Sequence, residues 1–173
     1  EDLDFFSDQE VDSLVLDVFF KSLKDLGDFE LDFQQSFNRN LFFMNFKERS
    51  LKTEFTYFPF PRIEQGKTVM GVNIDSLLDI ATNKLFSIYQ RSTARDYIDL
   101  YFICQDQGWT IAELIAKARV KFDWHMDLLQ LGTQFIKSEE VKDFPRMIKK
   151  IEQKTWQGFF IDEARKLKGA VLN

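Results

Sequence analysis

The sequence predicts an α+β protein: a mixed or antiparallel sheet carrying helices, followed by a C-terminal helical bundle. Three observations lead there. Of the 20 phenylalanines, thirteen precede residue 61, in short segments separated by turn-forming residues, which marks a sheet with a thick aromatic face. From Asp75 onward the apolar spacing becomes helical nearly to the end. The change of period near residue 74 divides the chain into a core over 1–74 and a helical domain over 75–173. At 173 residues the chain can bury a real core, and its 45% apolar and 29% charged composition is that of an ordinary globular protein.

The elements follow in order. Asp2-Leu3-Asp4-Phe5 alternates acid and apolar as a strand does, and both Phe5 and Phe6 are expected in the core. Ser7-Asp8-Gln9-Glu10 reads as a capping box opening a helix with Val11, Leu14, Val15, Val18, Phe19, Leu23 and Leu26, closed by a left-handed Gly27. Strands are expected over 30–37, 41–46 and 51–58. Their short connections imply an antiparallel meander that Pro59 and Pro61 close. Gly66 to Val72 adds a short strand. Helices follow from Asp75 or Ser76 to Gln90, over 95–105, and from the capping box Thr110-Ile111-Ala112-Glu113. Further helices are expected over 124–135, 145–154 and 156–168, with Gly169 beyond the last.

Composition narrows the function. A net charge of −5 argues against a generally basic nucleic-acid binder. Cys104 is the lone cysteine and His125 the lone histidine, so no disulfide forms within the chain and no two-histidine mechanism is open to it. The cysteine usage fits a reducing cytoplasm. No apolar run approaches the ~18 residues of a membrane span, no signal peptide is visible, and no glycine-rich phosphate loop is present. Lys117, Arg119 and Lys121, with the later lysines and Arg146 interleaved by acids, read as a solvated face.

Two groups of residues carry chemistry. Asp2 and Asp4 share one face of a strand, where their repulsion invites a divalent cation, as in phosphoryl and nucleotidyl transfer enzymes that hold Mg²⁺ with its triphosphate. They fit equally an exposed strand edge with two solvated acids. Eighty residues on, Lys84 and Arg91 are spaced to share a helix face two turns apart if the helix persists, and Asp96 and Asp99 share a face of the next. A phosphate-binding cluster and an interhelical salt-bridge cluster both fit that spacing.

Asn73-Ile74-Asp75-Ser76-Leu77-Leu78-Asp79-Ile80-Ala81, followed by Lys84-Leu85, Arg91, Arg95-Asp96 and Asp99-Leu100-Tyr101, resembles the AbiEii/AbiGii toxin family, nucleotidyltransferases of the DNA polymerase β-like superfamily. The opening Asp2-Leu3-Asp4-Phe5-Phe6 resembles that family's metal-binding strand. The resemblance covers roughly residues 1–105. It implies a nucleotidyltransferase-like fold in which Asp2 and Asp4 bind Mg²⁺, with Glu54 as a third carboxylate on a neighbouring strand. It also implies that Lys84, helped by Arg91, contacts the phosphates of a nucleoside triphosphate, while Asp96 or Asp99 holds Lys84 or acts as a base. Glu54 fits equally an ordinary half-solvated strand, alternating with its neighbours. The family's Gly-Gly or Gly-Ser turn, which precedes the acid strand, has no counterpart here, so the resemblance also implies a preceding segment.

Two functions are open at this level. One is a cytoplasmic enzyme, the toxin of a type IV toxin–antitoxin or abortive-infection system. It would transfer NMP to a tRNA, another RNA or a protein acceptor, and a cognate antitoxin would be its partner; no membrane is involved. The alternative is a non-catalytic nucleotide-binding or protein-interaction module of the same fold.

Overall fold

The opening acid–apolar alternation forms strand β1 (Asp2–Ser7) in a computed structural model that describes residues 2–172. Ser7 belongs to this strand and caps no helix. It pairs in register with Tyr57, and its carbonyl accepts from the Phe58 amide at 2.7 Å. The helix α1 (Ser13–Ser22) is capped instead by Asp12, whose side chain accepts from the Leu14 amide at 2.8 Å. A 3-10 turn over Leu23–Leu26 follows, and Gly27 leaves it in extended backbone, not in the expected left-handed conformation.

Strands β2 (Glu30–Ser36), β3 (Arg39–Asn45) and β4 (Ser50–Tyr57) form the expected antiparallel meander. Strand β1 joins parallel to β4, giving the order β1-β4-β3-β2 and a mixed sheet. A parallel pair needs a long crossover, and α1 with β2 and β3 supplies it. One face of the sheet packs against α1 through Leu16, Phe20, Phe29, Phe42 and Met44. Phe20 stacks on Phe42 with centroids 4.2 Å apart, and Phe5 stacks on Phe55 at 5.0 Å. Phe6 departs from expectation. Alternation turns it to the other face, with Asp2 and Asp4, where it is 45% exposed and tilts against Phe58. This sheet and α1 form one compact unit, through Phe60; a second begins at Pro61.

In the second unit, β5 (Lys67–Val69) and β6 (Val72–Ile74) form a hairpin where one short strand was expected. Met70 (φ 52°) and Gly71 (φ 81°) make its two-residue, left-handed turn. Gly66 is required by packing: a Cβ there would lie 1.7 Å from the Ile74 carbonyl oxygen. Helix α2 (Leu77–Gln90) starts at Ser76, which accepts from the Asp79 amide. Helix α3 (Ala94–Gln107) ends at a left-handed Gly108, and α4 (Ile111–Phe122) opens with the predicted Thr110–Glu113 capping box. Helix α5 (Leu128–Ile136) is capped by Asp127, and α6 (Gln153–Leu172) runs through Gly169 as an interior residue.

The helix expected over 145–154 does not form before Gln153. Phe144 is 48% exposed and Ile148 fully exposed, so no buried apolar face compensates the cost of nucleating a helix there. The helical core is built on Leu85, Ile88, Tyr97, Leu100, Leu114, Phe135, Trp156 and Phe160.

Lys121, expected on a solvated face, is buried and meets the buried Asp79 at 2.6 Å. The Asp79 carboxylate also accepts from the amides of Ile63 (2.9 Å) and Glu64 (3.1 Å) and from the Ser76 hydroxyl (2.8 Å). Its pKa is lowered: burial alone raises it, and these donors, Lys121 first, outweigh that. No helix among the described residues is long and apolar enough to cross a membrane.

Candidate active site

In the first unit the candidate residues lie on the sheet face turned away from α1. Register places Asp2 beside Lys52 and Asp4 beside Glu54, and parallel neighbours present their side chains to the same face. Asp4 is half-exposed, and its carboxylate lies 3.9 Å from the Lys52 ammonium. Glu54 is nearly buried and fully engaged. Arg39 grips it with both prongs, Nε to Oε1 at 2.5 Å and a terminal nitrogen to Oε2 at 2.7 Å. Lys52 lies 3.0 Å from Oε2, and Thr56 donates to Oε1 at 2.9 Å. Burial raises the Glu54 pKa, but the hydrogen bonds from Arg39, Lys52 and Thr56 outweigh it and draw the carboxyl down to about 2.

The second cluster lies where α2 meets the start of α3. Lys84 reaches Asp96 at 2.9 Å and Asp99 at 2.8 Å. Asp96 is buried and also accepts from the Thr93 hydroxyl at 2.6 Å, while Asp99 is 45% exposed. Helix α2 stops at Gln90, and Arg91 has extended backbone, so Arg91 does not share a helix face with Lys84. It reaches the cluster from the connection between the helices, 3.5 Å from Asp96. Burial lowers the Lys84 pKa, but the hydrogen bonds and charges of Asp99 and Asp96 outweigh it and raise it, so the ammonium stays charged. Asp96 is held below the ordinary carboxylate range: burial opposes this, and hydrogen bonds from Thr93 and Lys84 prevail.

Arg39, Lys52 and Thr93 were not singled out from sequence. Lys52 carried a signal, because it stands two residues before Glu54 on one strand and so shares its face. Arg39 carried none, since its reach to Glu54 depends on the β3–β4 register. Thr93 is the residue before α3, three ahead of Asp96, a position from which a hydroxyl can meet a first-turn acid.

Mg²⁺ commonly takes one or two carboxylates and completes its shell with phosphate oxygens and water. Asp2 and Asp4 suit that demand, as outward acids on one strand face. Glu54 suits it less, since both its oxygens are already held by Arg39, Lys52 and Thr56. Among the described residues no three histidine, cysteine or acidic side chains form a group that could hold a metal ion.

Two solved structures from Helicobacter pylori share this fold. A proposed nucleotidyltransferase superposes with a TM-score of 0.58 at 15% identity, covering 98% of this chain and 78% of that one. The protein JHP933 superposes with a TM-score of 0.54 at 16% identity, covering 98% of this chain and 76% of that one. An uncharacterized protein of Aquifex aeolicus is 30% identical over 74 residues, which is 42% of this chain and 36% of that protein. This match thus spans little more than a third of the relative's length. The family model described as nucleotidyl transferase AbiEii toxin, type IV toxin–antitoxin system, matches residues 1–167. With nearly the whole length matched, and with a sheet and helices arranged as in nucleotidyltransferase folds, this chain belongs to the AbiEii toxin family.

Proposed function

We propose that this chain is a Mg²⁺-dependent nucleotidyltransferase. It moves a nucleoside monophosphate from a nucleoside triphosphate to an RNA (a tRNA included) or a protein acceptor, as the toxin of a type IV toxin–antitoxin pair whose cognate antitoxin is its partner. The observation that carries this reading is the family match over residues 1–167, together with the residues that stand at the matching motifs: Asp2 and Asp4 outward on β1, and Lys84 held between Asp96 and Asp99.

Asp2 and Asp4 hold the metal, with Glu54 beside them fixing two cations on the same face. When bound, Mg²⁺ supplies charge neutralisation at the triphosphate and aligns it for in-line displacement. Lys84 contacts the phosphates as a point charge and exchanges its exposed partner Asp99 for a phosphate oxygen. Asp96, buried and fully hydrogen-bonded, keeps Lys84 in place. Arg91 adds a second cation, and the exposed Asp99 is the group able to accept the acceptor's proton. The acceptor oxygen bonds to the α-phosphorus, the bond to the bridging oxygen breaks, and pyrophosphate leaves.

The test is incubation with labelled nucleoside triphosphates, Mg²⁺, total RNA and cell protein. Wild-type protein should transfer label, and Asp4→Asn and Lys84→Ala should each reduce the transfer by about a hundredfold or more. Absence of transfer by the wild type, or equal transfer by all three, would sink the enzymatic reading.

A further inference from the structure

Two carboxylates of the β1–β4 face, those of Asp4 and Glu54, are already shared with resident cations. Lys52 sits on β4 beside Asp2 in register, 3.9 Å from the Asp4 carboxylate and 3.0 Å from that of Glu54. Arg39 occupies Glu54 from the other side with two hydrogen bonds. The formal charges of Asp2, Asp4, Glu54, Lys52 and Arg39 therefore sum to only one unit negative. Glu54 has strong partners, whereas the Lys52–Asp4 contact is long and half-exposed, so it is the contact that yields to a competitor. Lys52 retains Glu54 as a partner when it leaves Asp4, so displacement does not strand a buried ammonium.

From this geometry we infer that Lys52 is a built-in competitor for the metal: its ammonium shares Asp4 and holds down the divalent-cation affinity of the Asp2–Asp4 pair while no nucleotide is bound. The inference rests on the reading of Asp2 and Asp4 as the magnesium-binding pair. Lys52 acts through the carboxylates and needs no contact with the reacting atoms, so it is a positioning residue. A triphosphate adds its own oxygens to the metal shell and its negative charge to the face, offsetting the ammonium. The site thereby favours metal that arrives with nucleotide over metal alone.

Mn²⁺ alone is the probe, titrated into nucleotide-free protein while the electron paramagnetic resonance of free Mn²⁺ is followed. Lys52→Met should bind Mn²⁺ about fivefold more tightly than wild type, the effect of no longer having to break the Lys52–Asp4 pair, two unit charges about 4 Å apart in a water-like dielectric. Lys52→Arg, which keeps the charge, should bind as wild type does. The gain should vanish in Lys52→Met combined with Asp4→Asn. Circular dichroism identifies variants that retain the fold, and Lys52→Gln serves as the charge-removing variant if Lys52→Met does not. Equal or weaker Mn²⁺ binding in the charge-removing variant overturns the inference, as does a gain that survives Asp4→Asn. Loss of label transfer in the wild type with the Mn²⁺ gain intact would defeat the enzymatic reading alone. Intact transfer without the gain would defeat only this one.

Discussion

Glu54 illustrates how much one residue's partners decide. Its carboxyl is held near 2 in the folded chain, against about 4.3 in an unfolded one. A depressed folded pKa contributes stability that is fully present above the unfolded value and is lost as pH falls through the folded value. The window is therefore about pH 4.3 down to 2, and the contribution about 2 kcal/mol after discounting for the part-exposed Arg39. Denaturant unfolding across that window should show wild-type stability falling more steeply than that of Glu54→Gln, with the variant less stable at pH 7. Parallel curves would mean that the Arg39 and Lys52 contacts do not set its titration. At Cys104, burial pushes the thiol up to about 11 with Glu163 adding to it, so the native protein should resist alkylation by iodoacetamide at pH 8 and react on unfolding. What sequence reveals at this scale follows from periodicity. Asp2 and Asp4 share a face of β1, and Lys52 and Glu54 a face of β4, because strands alternate. Lys121 could have been read as well: it follows Leu114 and Ala118 at helical spacing, on the apolar stripe of α4. The grip of Arg39 on Glu54 is hidden until two strands find their register.

At the scale of elements, the Asp79–Lys121 pair ties α2, α4 and the chain at residues 63–64 together through one buried carboxylate. Lys121→Met leaves that carboxylate buried without its cation and should cost about 3–5 kcal/mol in denaturant unfolding. Combined with Asp79→Asn, the loss should be smaller than the sum of the single losses, because the two groups share one interaction. Additive losses would show that each acts alone. The helices that sequence located well are those with strong local ends: Ser76 before α2, Gly108 after α3, and the Thr110–Glu113 box before α4. Over 145–154 no apolar residue is fully buried and Ile148 is fully exposed, and a periodicity with so little packing surface does not make a helix. Ser7 misled for a related reason: its capping-box pattern is real, but pairing with Tyr57 draws it into β1.

At the scale of the whole molecule, each compact unit has its own apolar core, one aromatic under α1 and one built from α2 to α6. Lys121→Met should therefore raise amide hydrogen exchange in α2 and α4 while leaving the protection of β3 and β4 unchanged. Equal loosening of β3 and β4 would mean that the two cores unfold as one. The α+β class was legible because the period of the apolar residues changes along the chain. The parallel placement of β1 was not, because a meander says nothing about which edge an earlier strand will take.

That placement has a consequence for how the protein comes into being. Strands β2, β3 and β4 can zip from local hairpins, whereas β1 must return to an edge built about fifty residues later in the sequence. Closing so long a loop is entropically costly and characteristically slow. The acid strand is thus the piece of the sheet expected to arrive last. A nascent chain holds no assembled Asp4–Glu54–Lys52 face until the meander is complete and β1 has closed on its edge.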